Sequence, residues 1–287
     1  MTAREAVATF ARRLSAAGIA DGDARFEAKI LVLQAAGMTP ESLHIAGERQ
    51  LDDDVVEAAN ALVARRTRRE PLAYIQGFRE FYGMAIRVTP AVLIPRPETE
   101  FVVQAILDYV GGCRVCRVVD VGTGSGAIAV TVALSSPNAR LWATDLSSAA
   151  LAIARRNAAD HGVTARIDFA EGDLLIPVVS NAPFDVIASN PPYIAPEEID
   201  ALEPEVRDWE PRIALGTHAD PLHFYRRLAR EATPLLAPGG LLVVEVGLGQ
   251  SNAVSELWQR AGLTAVSITD DYAAIPRVVS GRALGIP

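Results

Sequence analysis

Lysine is almost missing from this 287-residue chain: Lys29 stands alone, and arginine supplies every other basic side chain. A Schiff base needs a lysine amine beside its substrate, and Lys29 lies in a helical pattern far from any motif, which argues against that chemistry. Cysteine is as scarce, with only Cys113 and Cys116, spaced Cys-Arg-Val-Cys. A redox pair should open a helix, and a zinc site needs a second pair or histidines at ligand spacing. Here the pair precedes a strand pattern, and His44, His161, His218 and His223 show no such spacing. No metal is expected, and the thiols read as incidental in a reducing cytoplasm.

Positive charge is in deficit too. The formal net charge of −8 offers no overall field for a nucleic-acid backbone, so no direct nucleic-acid substrate is expected. Long apolar runs are absent: the uncharged stretch from Val121 to Ala139 is broken by Gly122, Gly124, Gly126 and Pro137 and cannot span a membrane. Arg4, Arg12 and Arg13 interrupt the N-terminal apolar residues, so no secretory signal is visible; the arginines weakly resemble an organelle transit peptide, but the segment reads as an ordinary amphipathic helix. The expectation is a soluble, cytoplasmic protein with no membrane partner.

The first 75 or so residues have helical periodicity. Ala6, Phe10, Leu14 and Ala17 form one stripe, and Phe26, Ile30 and Leu33 another. Thr39-Pro40-Glu41 reads as a helix start. The run Arg65-Arg66-Thr67-Arg68-Arg69 suits the negative end of a helix dipole and reads as a solvated face. From Phe78 to Val88 the pattern turns to β-type alternation around Gly83, a short hairpin. Ile94-Pro95-Arg96-Pro97-Glu98-Thr99-Glu100 is a rigid link opening a helix from about Glu98 to Tyr109. Strand and helix patterns then alternate, which implies a mostly parallel sheet covered on both faces. The last segment, SITDDYAAIPRVVSGR, reads as two strands in an antiparallel edge hairpin.

Two turns carry the chemistry. Val118-Val119-Asp120-Val121-Gly122-Thr123-Gly124-Ser125-Gly126 is a buried strand running into a glycine-rich turn and a helix, where backbone amides can meet a ligand closely. Asp145 closes the next strand, 23 residues beyond Gly122, and can accept both hydrogen bonds of a ribose diol. With Ala127 the turn also fits a dinucleotide pattern, so these residues alone do not choose the nucleotide. Gly172-Asp173-Leu174 ends the third strand pattern; the acid can accept from an exocyclic amine and Leu174 can wall an adenine face.

The second turn is Ser189-Asn190-Pro191-Pro192-Tyr193-Ile194, placed after the apolar strand Phe184 to Ala188. Two adjacent prolines remove two backbone donors and fix φ, so the turn is stiff and cannot extend the strand. A planar amide or exocyclic amine has a conjugated, weakly nucleophilic nitrogen. The Asn190 side-chain carbonyl and the Pro191 backbone carbonyl can accept its two N–H groups, and Tyr193 can stack on its plane.

Together DVGTGSGA, ATDLS, GDL and SNPPYI resemble the class I S-adenosylmethionine-dependent methyltransferases that methylate planar nitrogen. Glu70-Pro71-Leu72-Ala73-Tyr74-Ile75-Gln76-Gly77, the 94–100 link and Ile187 to Ile194 narrow the resemblance to the peptide chain release factor N5-glutamine methyltransferases, over nearly the whole chain. That resemblance implies an α/β, Rossmann-like class I methyltransferase fold, with a mostly parallel seven-stranded sheet and an antiparallel C-terminal edge, plus a small N-terminal helical bundle. It implies a substrate-binding domain over 1–76, a hairpin linker over 77–96 and a methyltransferase domain over 97–287.

The implied cofactor is S-adenosyl-L-methionine. Gly122, Thr123, Gly124, Ser125 and Gly126 would hold its methionine part, Asp145 the ribose, Asp173 with Leu174 the adenine, and Asn190 would border the methyl group. Asn190, Pro191 and Tyr193 would be catalytic. With Pro192, Arg96 and Glu98 they would bind the glutamine of the Gly-Gly-Gln loop in class I release factors, the enzyme acting as a monomer. Ribosomal-protein glutamine methylases and adenine-N6 or guanine-N2 nucleic-acid methylases share the motif and stand as alternatives. Against the last, the N-terminal 85 residues hold 11 basic and 12 acidic side chains, no basic recognition module. The chain departs from the family at Gly216-Thr217-His218-Ala219-Asp220-Pro221-Leu222 and at Ala274-Ile275-Pro276-Arg277, which touches substrate details rather than methyl transfer.

Overall fold

Thr2 begins the folded chain as a reciprocal cap: its hydroxyl accepts from the Glu5 amide while the Glu5 carboxylate accepts from the Thr2 amide. A computed structural model describes all residues except 40–47, 49, 113, 217, 286 and 287. The 39–41 helix start, His44 and Cys113 therefore fall wholly or partly outside the described residues, while Cys116 is buried at the start of a strand. The chain divides into two compact units, residues 1–77 with 203–209, and residues 78–202 with 210–287.

The first unit packs α1 (Ala3–Ala16), α2 (Asp21–Ala36), α3 (Asp53–Arg66) and the short α4 (Leu72–Gln76). Its core joins Phe10 and Leu14 of α1 to Ala24, Ala28, Leu31 and Val32 of α2 and Val63 of α3. This corrects the second stripe: Phe26 is exposed and Ile30 only half-buried. The buried face of α2 uses small alanines, which let helices approach closely but give little hydrophobic contrast for periodicity to detect.

The arginine run is corrected as well. Arg66 is buried and pairs with Glu27 at 2.7 Å and Glu205 at 2.8 Å. Arg69 also reaches Glu205, at 2.7 Å, and Arg65 holds Glu70 at 2.5 Å. Arg65, Arg66 and Arg69 form an ionic lock inside the unit, because planar guanidinium groups can satisfy several carboxylate oxygens at once, while Arg68 is exposed.

The second unit opens with the antiparallel hairpin β1 (Phe78–Phe81) and β2 (Met84–Arg87), then a 3₁₀ turn Pro97–Thr99 leading into α5 (Glu100–Val110). Strands β3 (Cys116–Val121), β4 (Ala139–Asp145), β5 (Ile167–Glu171), β6 (Phe184–Ser189), β7 (Leu236–Glu245), β8 (Thr264–Asp270) and β9 (Pro276–Arg282) form one sheet. Its order is β5-β4-β3-β6-β7-β9-β8, with β9 antiparallel to both neighbours and the other pairs parallel.

Alternate strand residues feed opposite faces. Val118, Leu141, Val186 and Val243 pack with Val102 and Ile106 of α5 and Val130 of α6 (Ala127–Ser135). Val119, Ile187, Leu242 and Val244 pack with Tyr225 and Leu228 of α8 (His223–Ala232) and Trp258 of α9 (Ser251–Arg260). Helix α7 (Ser148–Asp160) joins β4 to β5. Burial on both faces explains why these strands read as continuous apolar runs.

Candidate active site

Strand order fixes where a ligand can lie. From β3 the chain winds outward through β4 and β5 on one side, then returns to lay β6 on the other flank of β3. Loops leaving β3 and β6 therefore part in opposite directions and open a crevice at the carboxyl ends of the strands. Val121 pairs with both Thr144 and Ser189 in register, and the Ser189 hydroxyl donates to the Val121 carbonyl at 2.7 Å. The glycine turn and the Asn-Pro-Pro-Tyr turn thus leave adjacent strands at one level.

The turn after β3 needs its glycines. Gly122, Gly124 and Gly126 have φ of 69°, 55° and 81°. A Cβ on Gly126 would also stand 3.0 Å from the Ala154 Cβ, so the turn packs directly onto α7. The Gly124 amide donates to Asp145 Oδ2 at 2.9 Å and the Ser147 amide to Oδ1 at 2.8 Å. Each oxygen keeps a further lone pair, so Asp145 is oriented and still able to accept. Behind it, Asp120 accepts from the Thr123 hydroxyl at 2.6 Å and the Ala129 amide at 3.1 Å through Oδ2, while Oδ1 is buried without a partner. Burial pushes the Asp120 carboxyl up to about 6, with Thr123 and Ala129 opposing and Asp145 adding to the rise.

A partly open cleft joins these elements. Gly122 to Ser125 of the glycine turn, Asp145, Gly172 to Leu174, Asn190 and Pro192 border it, with Pro95 and Thr99 from the link. The Asp173 carboxylate is gripped by both terminal nitrogens of Arg227, at 3.0 and 2.8 Å. Leu174 takes a left-handed φ of 46°, costly for a branched residue, while its carbonyl accepts from the Thr144 hydroxyl at 2.8 Å.

On the opposite wall, Asn190 Nδ2 lies 3.1 Å from Thr99 Oγ1, and Thr99 Oγ1 lies 2.5 Å from Glu245 Oε2. The Tyr193 hydroxyl donates to Glu245 Oε1 at 3.2 Å. Burial raises the Glu245 carboxyl, Thr99 and Tyr193 oppose that by donating to it, Glu98 raises it further and Arg277 lowers it. Burial and the nearby Glu245 charge keep Tyr193 well above the usual phenol range, so it remains a donor. Gln250 Nε2 donates to the Tyr193 carbonyl at 3.0 Å, and the Ile194 amide to the Leu215 carbonyl at 3.0 Å. The turn is held from both ends.

Asn190, Pro192, Gly122 to Ser125, Asp145, Asp173 and Leu174 thus share one cleft, whereas Gly126 does not border it and packs against Ala154. Arg96 and Glu98 do not border it: Arg96 pairs with the buried Glu210 at 2.6 Å, and Glu210 also accepts from the Ile94 amide at 3.2 Å. Burial raises the Glu210 carboxyl, opposed by Arg96. Pro191 and Tyr193 are not among the residues bordering the cleft: Pro191 is buried, and Tyr193 is partly buried against an apolar cluster. Sequence reasoning passed over Thr99, Asp120, Glu210 and Glu245. One signal for Glu245 was present: a lone carboxylate ending the run LLVVE. Among the described residues no cluster could hold a metal ion and no helix is long and apolar enough to cross a membrane.

Two family models match, the methyltransferase small domain over residues 99–203 and the PrmC N-terminal domain over residues 5–77. The chain is 42% identical over 260 residues to a release factor glutamine methyltransferase of Geobacter sulfurreducens, covering 91% of this chain and 90% of the relative. It is 42% identical over 282 residues to one of Cereibacter sphaeroides, covering 98% and 99%. Among solved structures it is similar in fold to the hMettl16 catalytic domain in complex with a MAT2A 3′UTR hairpin, with a TM-score of 0.59, 16% identity and coverage of 89% and 94%.

Proposed function

The chain belongs to the release factor glutamine methyltransferase family, and from that premise we propose that it methylates the side-chain amide nitrogen, N5, of the glutamine in the Gly-Gly-Gln loop of class I peptide chain release factors. The observation that carries this reading is the meeting of the glycine turn and the Asn190 turn in one cleft. S-adenosyl-L-methionine would supply an electrophilic methyl group on a sulfonium whose departure leaves a neutral thioether. The cleft suits such a molecule: amide-lined glycines for its amino-acid end, Asp145 with spare acceptor capacity for ribose hydroxyls, and Asp173 with Leu174 for a purine.

Asn190 Oδ1 and the Pro191 carbonyl accept the two amide N–H groups of the glutamine. Tyr193, anchored through its hydroxyl, supports the plane of that amide. Held so, the glutamine nitrogen would face the methyl group that the cofactor would supply when held by the glycine turn, Asp145, Asp173 and Leu174, and one amide proton would pass to water. Orientation of this kind contributes up to ~7–11 kcal/mol to such a displacement. Arg96 and Glu98 serve the substrate side by shaping the link that carries Pro95 and Thr99 to the cleft. Residues 1–76 would recognise the release factor, 77–96 link, and 97–287 catalyse. Such a partner is met in the cytoplasm, where we place the enzyme as a monomer.

The test is transfer of labelled methyl to purified release factor and ribosomal protein side by side. Label in the wild-type release factor and none in a Gln→Ala loop variant supports the reading. Equal labelling of both loops sinks it, and label confined to the ribosomal protein reassigns the substrate.

A further inference from the structure

We propose that Thr99 and Glu245 are positioning residues that lock the Asn190 carboxamide with its oxygen toward the cleft, so that the site takes an N–H donor and refuses an acceptor. The inference rests on the reading of Asn190 as the group that binds the substrate amide.

A carboxamide has two ends of nearly equal size and opposite polarity: an oxygen that only accepts and an NH₂ that only donates. Packing alone does not tell them apart. Thr99 does, because of what its single hydroxyl proton is already doing. Glu245 is 2% exposed and has a hydroxyl facing each oxygen, Thr99 at Oε2 and Tyr193 at Oε1; we take both hydroxyls as donors to an ionised carboxylate, which can only accept. The 2.5 Å contact from Thr99 Oγ1 to Glu245 Oε2 is therefore a charge-assisted bond that consumes the Thr99 proton. What remains on Thr99 is lone-pair density, and it can satisfy only the NH₂ end of Asn190, 3.1 Å away. Asn190 Oδ1 is the end left over for the cleft, which Asn190 and Thr99 both border.

Tyr193 completes the device. Its hydroxyl occupies the other Glu245 oxygen at 3.2 Å, so the carboxylate has a donor on each side and no reason to turn. One buried anion thus sets the polarity of Asn190 and the seat of Tyr193 together. Glu245 needs no contact with substrate to do this. Its location at the last residue of β7, beside the carboxyl end of β6, places it under the turn rather than in the cleft.

The experiment compares Thr99→Val, Thr99→Ser and Glu245→Gln in the full-length enzyme, with two readouts. The first is the Asn190 side-chain NH₂ pair in ¹H–¹⁵N spectra, assigned by its loss in Asn190→Asp. It should shift in Thr99→Val and Glu245→Gln and return in Thr99→Ser, while the backbone spectrum stays that of the folded protein. The second is methyl transfer to release factor. Thr99→Val and Glu245→Gln should lower kcat by roughly 10- to 100-fold, the scale of a misplaced reacting group, with cofactor Kd unchanged, and Thr99→Ser should recover most of kcat. An unshifted Asn190 pair in Thr99→Val, or a Thr99→Ser enzyme as impaired as Thr99→Val, overturns the proposal. Should wild-type enzyme leave release factor unlabelled, the substrate reading falls, and the Asn190 signals alone still decide the orientation.

Discussion

A side chain matters to a reaction through the atoms it turns toward the reacting group, and here Asn190 turns one polar end to a cleft shared with the glycine turn. Asn190→Ala removes that end and little else. Calorimetry should find cofactor affinity within a few-fold of wild type, while single-turnover methyl transfer falls by on the order of 100- to 1000-fold. Loss of cofactor affinity in step with turnover would instead make Asn190 a cofactor ligand alone. Asp120 makes a different prediction, on stability. Its folded carboxyl lies at about 6 against an ordinary 3.8, so the folded state holds the proton more tightly than the unfolded chain. The contribution is therefore fully present below the ordinary value and lost as pH rises through about 6, a change of roughly 3 kcal/mol. Asp120→Asn cannot titrate. The difference in unfolding free energy, wild type minus Asp120→Asn, should fall between pH 4 and 7 in denaturant titrations; a difference flat with pH would show that Asp120 does not carry the proton.

Elements place these residues, and the packing of one element on another is where small changes become large. Gly216 follows the helical turn Arg212–Leu215 and lies against the Asn190 turn: a Cβ there would stand 1.7 Å from the Ile194 carbonyl oxygen and 2.8 Å from its carbon. Both are backbone atoms of the held turn, so they yield only if the turn moves. Gly216→Ala should cost about 1–3 kcal/mol, the usual range for overpacking, and lower kcat without changing cofactor Kd. Full activity in Gly216→Ala would mean the turn tolerates displacement. Much of this level was readable in the chain. Glycines that need positive φ and prolines that forbid strand extension write their geometry locally, so both turns, the strand–helix alternation and the antiparallel edge were legible. What was not legible is non-local. Thr99 meets Asn190 across 91 residues and Glu245 across 146, and no periodicity encodes such a meeting. The core face of α2 was misread because alanine barely differs from its neighbours in hydropathy, whereas exposed Phe26 stands out. Helix α9 escaped the strand–helix reading altogether.

At the scale of the whole molecule, the chain leaves the second unit after Leu202, contributes Glu203–Trp209 to the first, and returns at Glu210. The fastening lies within the first unit: Glu205 accepts from Arg66 and Arg69, and Arg66 also holds Glu27. Burial is the largest single influence on the Glu205 carboxyl and raises it, but Arg69 and Arg66 together outweigh burial, and the net displacement is downward. A depressed carboxylate stabilises the fold above its unfolded value and loses that contribution as pH falls through the folded one. Acidification below the ordinary glutamate value of 4.5 should therefore loosen the first unit. Arg66→Met should do the same at neutral pH and by more, because it strands two acidic partners of a buried guanidinium, a change that costs about 3–5 kcal/mol. Hydrogen exchange of α1 to α3 amides reads the unit by itself. Faster exchange there in Arg66→Met at neutral pH and in wild type in acid is the expected pattern, with Glu205→Gln flattening the acid response. Exchange unchanged by Arg66→Met would mean that hydrophobic packing alone holds the unit and that the buried ion pairs add nothing to its stability.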